Sequence, residues 1–195
     1  MTVSELYSHV AQLGFEESLE SARNFYNALN RALLQVGAVR PAIKQYIIQH
    51  EALEDDGSVP YTEYDLSELV DDFWALESPP ILEDEEYTRI NQGYEVISNK
   101  IILVPRDKQG RYRVLYRHLP AAIEYTDDPA TDNAGIDLDT ELCMILPYLV
   151  ASDVWADDEP EKAEYYRAVY QTAAANIQNR DVNMSPVSIR NINGW

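Results

Sequence analysis

The sequence predicts a mixed α+β protein. It reads as an antiparallel bundle of about four helices, with a small β-sandwich or β-sheet subdomain inserted and an extended arm at the end. Three observations lead there. Apolar residues recur at helical spacing before Pro41 and again after Glu141. Between them the pattern switches to alternation, with turn residues punctuating short runs. The stretch Leu142 to Ala151 is apolar throughout with one proline, so it needs cover on nearly every side. These periods divide the chain into a bundle over 1–41 and 126–180, a β subdomain over 42–125, and an arm over 181–195.

At the start, Thr2 and Glu5 have capping-box spacing. Val3, Leu6, Val10 and Leu13 then form a stripe, and Gly14 suits the end of that helix. A second helix is predicted from about Ser18 to Val36, with Phe25, Leu29, Ala32, Leu33 and Val36 on one side. Gly37 and Pro41 stop it. These two helices are the natural cover for the apolar run near the other end of the chain.

After Pro41 the stretch Ile43 to His50 alternates as a strand. Glu54 to Ser58 is a turn. Tyr61 to Glu77 reads two ways: Leu66, Leu69 and Phe73 suit a short helix, while Phe73 to Leu76 suits a strand. Ser78-Pro79-Pro80 breaks either one. Short strands are then predicted at Tyr87–Ile90, Tyr94–Ile97, Lys100–Val104 and Gly110–His118, with Ser98-Asn99 among the turns. In the last strand Tyr112, Val114 and Tyr116 share one face, and Arg111, Arg113 and Arg117 share the other. That is a half-buried strand with a basic outer side.

Tyr125 to Asp139 is an acidic loop that leads into a helical hairpin. Its first helix is the run from Leu142. Asp157-Asp158-Glu159 forms the turn, and Pro160 sits where a first helical turn tolerates a missing N–H. Ala163, Tyr166, Tyr170, Ala173 and Ile177 then make one stripe. The polar Gln178-Asn179-Arg180 predicts the helix end near Asn179. The following arm holds Val187, Ile189, Ile192 and Trp195, with Pro186 forbidding helix. A solvated tail has little use for such residues, so the arm is expected to dock, on a partner or on its own subunit.

The chain of 195 residues carries 15 basic and 34 acidic residues, a net charge of −19. Such a surface repels nucleic-acid phosphates. The charge is also segregated. Glu51 to Ile90 holds fourteen acids and one base, whereas Lys100 to His118 holds six bases and one acid. Sign separation of this kind either joins copies of one chain or pairs within the subunit. Arg111, Arg113 and Arg117 are therefore candidate interface residues, expected to meet the acidic stretch Glu51 to Glu86 of a neighbour. Tyr165 and Tyr170 are further candidates, since tyrosine-rich stripes serve cores and interfaces.

Little here supports catalysis. The three histidines, His9, His50 and His118, are isolated, and no zinc or Cys/His pattern occurs. The seven glycines form no phosphate loop. The single cysteine, Cys143, excludes an intrachain disulfide and sits in the apolar run as a small hydrophobe. Asp132 to Glu141 has partial calcium-loop spacing, but alanines occupy two ligand positions, so a loop capping the next helix is expected instead. The acid pairs Asp71-Asp72 and Asp157-Asp158 read as solvated faces. No secretory leader pattern opens the chain, and no stretch suits a bilayer span. No enzyme, cofactor or metal is expected.

Three stretches carry a family likeness. Asn24 to Val36, NFYNALNRALLQV, runs into a strand at Ala42 to His50; Tyr112 to Leu119 is the last strand before the return; Glu141 to Ile177 is the hairpin with its Asp-Glu-Pro turn and following tyrosines. On these, the chain resembles the head-to-tail connector (adaptor) proteins of tailed bacteriophages. It is most similar to the tail tubular, or gatekeeper-type, adaptors of short-tailed phages. The likeness covers about residues 2–180 and rests on element order and local flavour, because that family has no catalytic motif to match.

The resemblance implies a structural virion protein, assembled in the host cytoplasm and resident in the neck or tail. Such a protein forms a homo-oligomeric ring of about twelve copies below the portal. It contacts the portal protein above and a tail or nozzle protein below, and DNA passes through without specific binding. In that setting Val187, Ile189, Ile192 and Trp195 are the candidate docking arm on the portal or a neighbouring subunit. Two other readings stay open: another neck, tail-completion or baseplate component, and an acidic binding module that mimics nucleic acid.

Overall fold

The computed structural model describes residues 1–14, 19–52, 60–78, 81–83, 89–90 and 94–184. The protein is mixed α+β, with five helices and two antiparallel sheets among the described residues. It divides into two compact units, one formed by Met1–Arg40 with Ala122–Trp195 and the other by Pro41–Ala121.

In the first unit, α1 (Val3–Gln12) opens on the capping box read from Thr2 and Glu5. The Thr2 hydroxyl accepts from the Glu5 N–H at 3.2 Å, and the Thr2 N–H donates to the Glu5 carboxylate at 2.9 Å. Two of the orphan donors of the first turn are thereby satisfied. Gly14, just beyond α1, has φ +103°, which an L side chain rarely adopts. Helix α2 (Leu19–Gly37) buries Phe25, Leu29, Ala32, Leu33 and Val36, the stripe expected from its spacing. Helices α4 (Thr140–Val154) and α5 (Pro160–Met184) are separated by a short acidic turn. Asp139 caps α4, its carboxylate accepting the Leu142 N–H at 2.9 Å. Helix α4 packs on α1, α2 and α5, and Leu142, Leu146 and Leu149 sit with Leu6, Phe25 and Leu29 in one core.

Helix α4 is buried on nearly every side, as its composition requires, with Met144 the exception at 68% exposed. Two expectations change here. Helix α5 does not stop near Asn179 but continues to Met184. Salt bridges from Arg180 to Glu141 and from Arg40 to Asp181 engage its last turns, which local propensity cannot reveal. The predicted arm over 181–195 is therefore helical at its start. Finally, Ile123 is clamped by Asn30, whose side-chain amide donates to the Ile123 carbonyl at 2.9 Å and accepts its N–H at 2.8 Å. The chain thus rejoins the first unit at Ala122, earlier than the boundary at 125 expected from the sequence.

In the second unit β1 (Ala42–His50) pairs along its whole length with β8 (Gly110–His118). The other edge of β8 is shared by β3 (Phe73–Leu76) and β4 (Ile81–Glu83), and β4 pairs with β5 (Arg89–Ile90). A second sheet orders β2 (Tyr61–Asp65), β7 (Ile101–Pro105) and β6 (Glu95–Ile97). The ambiguous stretch contains both readings in succession, α3 (Leu66–Leu69) and then β3. Strands β2 and β4 have no counterpart among the expected strands. Ser98 and Asn99 take left-handed φ values of 53° and 58° in the β6–β7 turn, where small polar residues tolerate that region. Ile48, Leu66, Ile102, Val104, Tyr112 and Val114 form this unit's core, with both sheets and α3 contributing.

Candidate interaction surfaces

Strand β8 alternates as its sequence requires. Tyr112, Val114 and Tyr116 are buried, while Arg111 and Arg113 are half-buried on the opposite face and Arg117 is exposed there. The acidic stretch, however, does not lack partners within the chain. Arg117 pairs with Glu77, Lys44 with Asp72 at 2.6 Å, and Lys100 with Asp65 at 2.7 Å. Antiparallel pairing of β3 on β8 sets Leu76 opposite Tyr116, and so brings Glu77 beside the basic strand. For Arg117, pairing across a subunit boundary thus gives way to pairing within the subunit.

Asp72 joins several partners at once. It accepts from the Tyr116 hydroxyl at 3.1 Å and from Lys44, and lies 3.6 Å from the buried His118 ring. Burial raises its pKa, but the bonds from Lys44 and Tyr116 outweigh that and hold it below the usual range. Tyr116 is pushed up to about 12 by burial and then by Asp72. His50 is likewise buried and bonded on both nitrogens, to the Tyr64 hydroxyl at 2.8 Å and the Pro105 carbonyl at 3.1 Å. Both histidines are buried and hydrogen-bonded within the second unit.

Asp65 caps α3 and holds Lys100. The Lys100 bond, aided by the Ser67 hydroxyl, lowers its pKa from 3.8 to about 2. Because the folded value is depressed, the contribution of this contact is present above the ordinary carboxylate range. It is lost as pH falls through about 2. An NMR titration of the Asp65 carboxyl is expected to give a midpoint near 2, and Lys100→Met to raise it towards the ordinary value; an unmoved midpoint in the variant would contradict the assignment.

In the first unit the acidic loop is consumed by structure. The Asp132 carboxylate accepts from the Tyr26 hydroxyl at 2.6 Å and from the Ala134 N–H at 2.8 Å. Tyr26 is pushed up to about 12, first by burial and then by that bond. Glu141 bonds Arg40 and Arg180. The partial calcium-loop spacing therefore has its acids committed elsewhere. Among the described residues, no group of three or more His, Cys, Asp or Glu is placed to hold a metal. Cys143 is buried, and burial raises its thiol pKa. Among the described residues, no helix is long and apolar enough to cross a membrane.

The two candidate tyrosines separate. Tyr170 is only 9% exposed and belongs to the core of its own unit. Ala174 and Ile177 lie on the same buried side of α5. Tyr165 is 64% exposed and stays available. Its ring meets Tyr166 edge-on at 5.4 Å, and Tyr166 in turn stacks on Tyr148 of α4. The Tyr166 hydroxyl donates to the Leu13 carbonyl at 2.7 Å. Beside this ladder opens a groove of about 340 Å3, lined by Met1, His9 and Leu13 on one side and Met144, Pro147 and Tyr148 on the other. The sequence offered a faint sign of it, since Met144 and Tyr148 are four residues apart on α4 and share a face. Val187, Ile189, Ile192 and Trp195 lie outside the described residues. No protein-family model matches the chain, and no curated protein matches it in sequence.

Proposed function

We propose that this chain is a structural virion protein of a tailed phage, a head-to-tail adaptor that forms a ring below the portal around the DNA channel. In this reading the first unit is an antiparallel helical bundle and the second an insertion within it. The observation that carries the proposal is element order: two helices, a β-rich unit entered at Pro41 and left at Ala121, then a helical hairpin with an acidic turn. That order is the one in which the sequence resembles the adaptor family. The charge agrees with it. A net −19 gives DNA phosphates few cations to bind, so a channel lined by this chain lets DNA slide. The adaptor has no catalytic task, and the polar clusters in both units serve structural bonds.

Ring closure needs two different surfaces of one chain to meet. Tyr165, exposed on α5 beside the Tyr166–Tyr148 ladder, belongs to one of them, and Arg111 and Arg113 on β8 remain candidates for another. Native mass measurement of the purified protein, alone and with portal, is expected to show a closed multiple of the subunit. Tyr165→Glu should shift that species towards monomer while leaving the subunit's melting temperature within a few degrees. A monomer at all concentrations, with and without portal, would overturn the ring.

A further inference from the structure

We propose that the groove between α1 and α4 receives the segment 185–195 of a second copy of this chain, with Trp195 as its main anchor. The inference rests on the ring reading for its biological setting, but self-association through this groove is testable without it.

The groove is preformed. Tyr148 forms part of its wall and is held by stacking on Tyr166, itself fixed through its hydroxyl to the Leu13 carbonyl. On the α1 side the helix is locked by its capping box. A wall held in place in this way loses little freedom when a partner enters, so contact area there converts well into affinity. Met144, 68% exposed on the apolar helix α4, lines it beside Pro147. A methionine in such a place adapts its shape to an incoming side chain and favours sulfur contact with an aromatic ring. The volume of about 340 Å3 accommodates a large aromatic anchor, the side-chain class that dominates interface energetics.

Direction, composition and symmetry identify the occupant. Helix α5 runs antiparallel to α4: Arg167 bonds Ser152 and Asp153, while Arg180 bonds Glu141. Helix α5 thus ends past the start of α4, its axis running away from Met144 and Tyr148, so a segment following Met184 must turn back to reach the groove of its own chain. Composition points the same way. In a chain of net charge −19, residues 182–195 contain no acid, one base (Arg190), and the apolar Val187, Ile189, Ile192 and Trp195. Such a segment is not repelled by another acidic copy, and it carries side chains suited to an apolar groove. Groove and segment are also different surfaces of the same chain. Their contact is heterologous, as a ring requires.

Disulfide trapping in the full-length protein tests this. In a Cys143→Ala background, one preparation carries Met144→Cys and a second carries Gly194→Cys, which leaves the Trp195 anchor in place; they are mixed and oxidised. The expected product is a disulfide-linked dimer containing one of each. In a third preparation carrying both cysteines, species larger than monomer should dominate over an internally linked monomer. As an independent readout, Met144→Glu, at an exposed position, should keep the melting temperature and raise the concentration needed for self-association about tenfold or more. An internally linked monomer as the main product would overturn the proposal in favour of folding back. So would absence of the mixed dimer, or association unchanged by Met144→Glu. Mixed dimers forming in open chains rather than rings would uphold the groove and sink the ring. Rings that tolerate Met144→Glu would do the reverse.

Discussion

Leu146→Asp is expected to unfold the first unit. Leu146 is fully buried at the centre of α4, among side chains from α1, α2 and α5, and no cation of that core is available to pair with an introduced carboxylate. Burying such a group without partners costs several kcal/mol even when it protonates to escape the charge, as estimated from transfer of polar groups into apolar surroundings. A domain of this size has only about 5–15 kcal/mol in hand. Circular dichroism should show loss of the cooperative helical transition at room temperature. Met144→Asp is the control, two residues earlier on the same helix but largely exposed, and should shift stability by no more than about 0.5 kcal/mol. Equal behaviour of the two variants would mean that α4 is not the buried centre of its unit.

The second large effect lies in the β unit. Tyr112 is fully buried on β8, with β1 paired along one edge of that strand and β4 beside it on the other, and its ring meets Tyr94 edge-on at 6.3 Å. Tyr112→Ala removes an aromatic ring from a small core and leaves a cavity that a sheet closes poorly. Comparable aromatic-to-alanine changes cost about 3–5 kcal/mol. Chemical denaturation should register that loss, and hydrogen exchange should place it in β1, β7 and β8, the strands that share the core with Tyr112. A cost below about 1 kcal/mol would contradict the assignment of Tyr112 to the centre of that core.

Features set by near neighbours in the chain were legible in the sequence. The Thr2–Glu5 capping box, the α2 stripe from Phe25 to Val36, and the inward face of β8 at Tyr112, Val114 and Tyr116 follow from local spacing, and the structure has them. What depends on distant pairing was not legible. Nothing near Arg117 in sequence points to Glu77, because only the antiparallel docking of β3 brings them together. The same holds for the end of α5, where Arg40 and Glu141 engage residues that by themselves look like a helix terminus. Tyr165 and Tyr170 look alike in a stripe of aromatics, yet five residues on a helix separate a solvent-facing ring from a core ring. Strand β4 follows two prolines, which read as a break, and its pairing with β8 supplies what its own three residues do not declare. The groove beside Met144 arises between elements far apart in the chain, so sequence offered only the shared face of Met144 and Tyr148.

The adaptor reading is tested most directly by electron microscopy of the full-length protein incubated with the portal ring of its parent particle. The account predicts a closed ring of this chain seated on one end of the portal, with an open central channel. A protein that stays monomeric beside unoccupied portals, and instead competes with DNA for a basic protein, would contradict it.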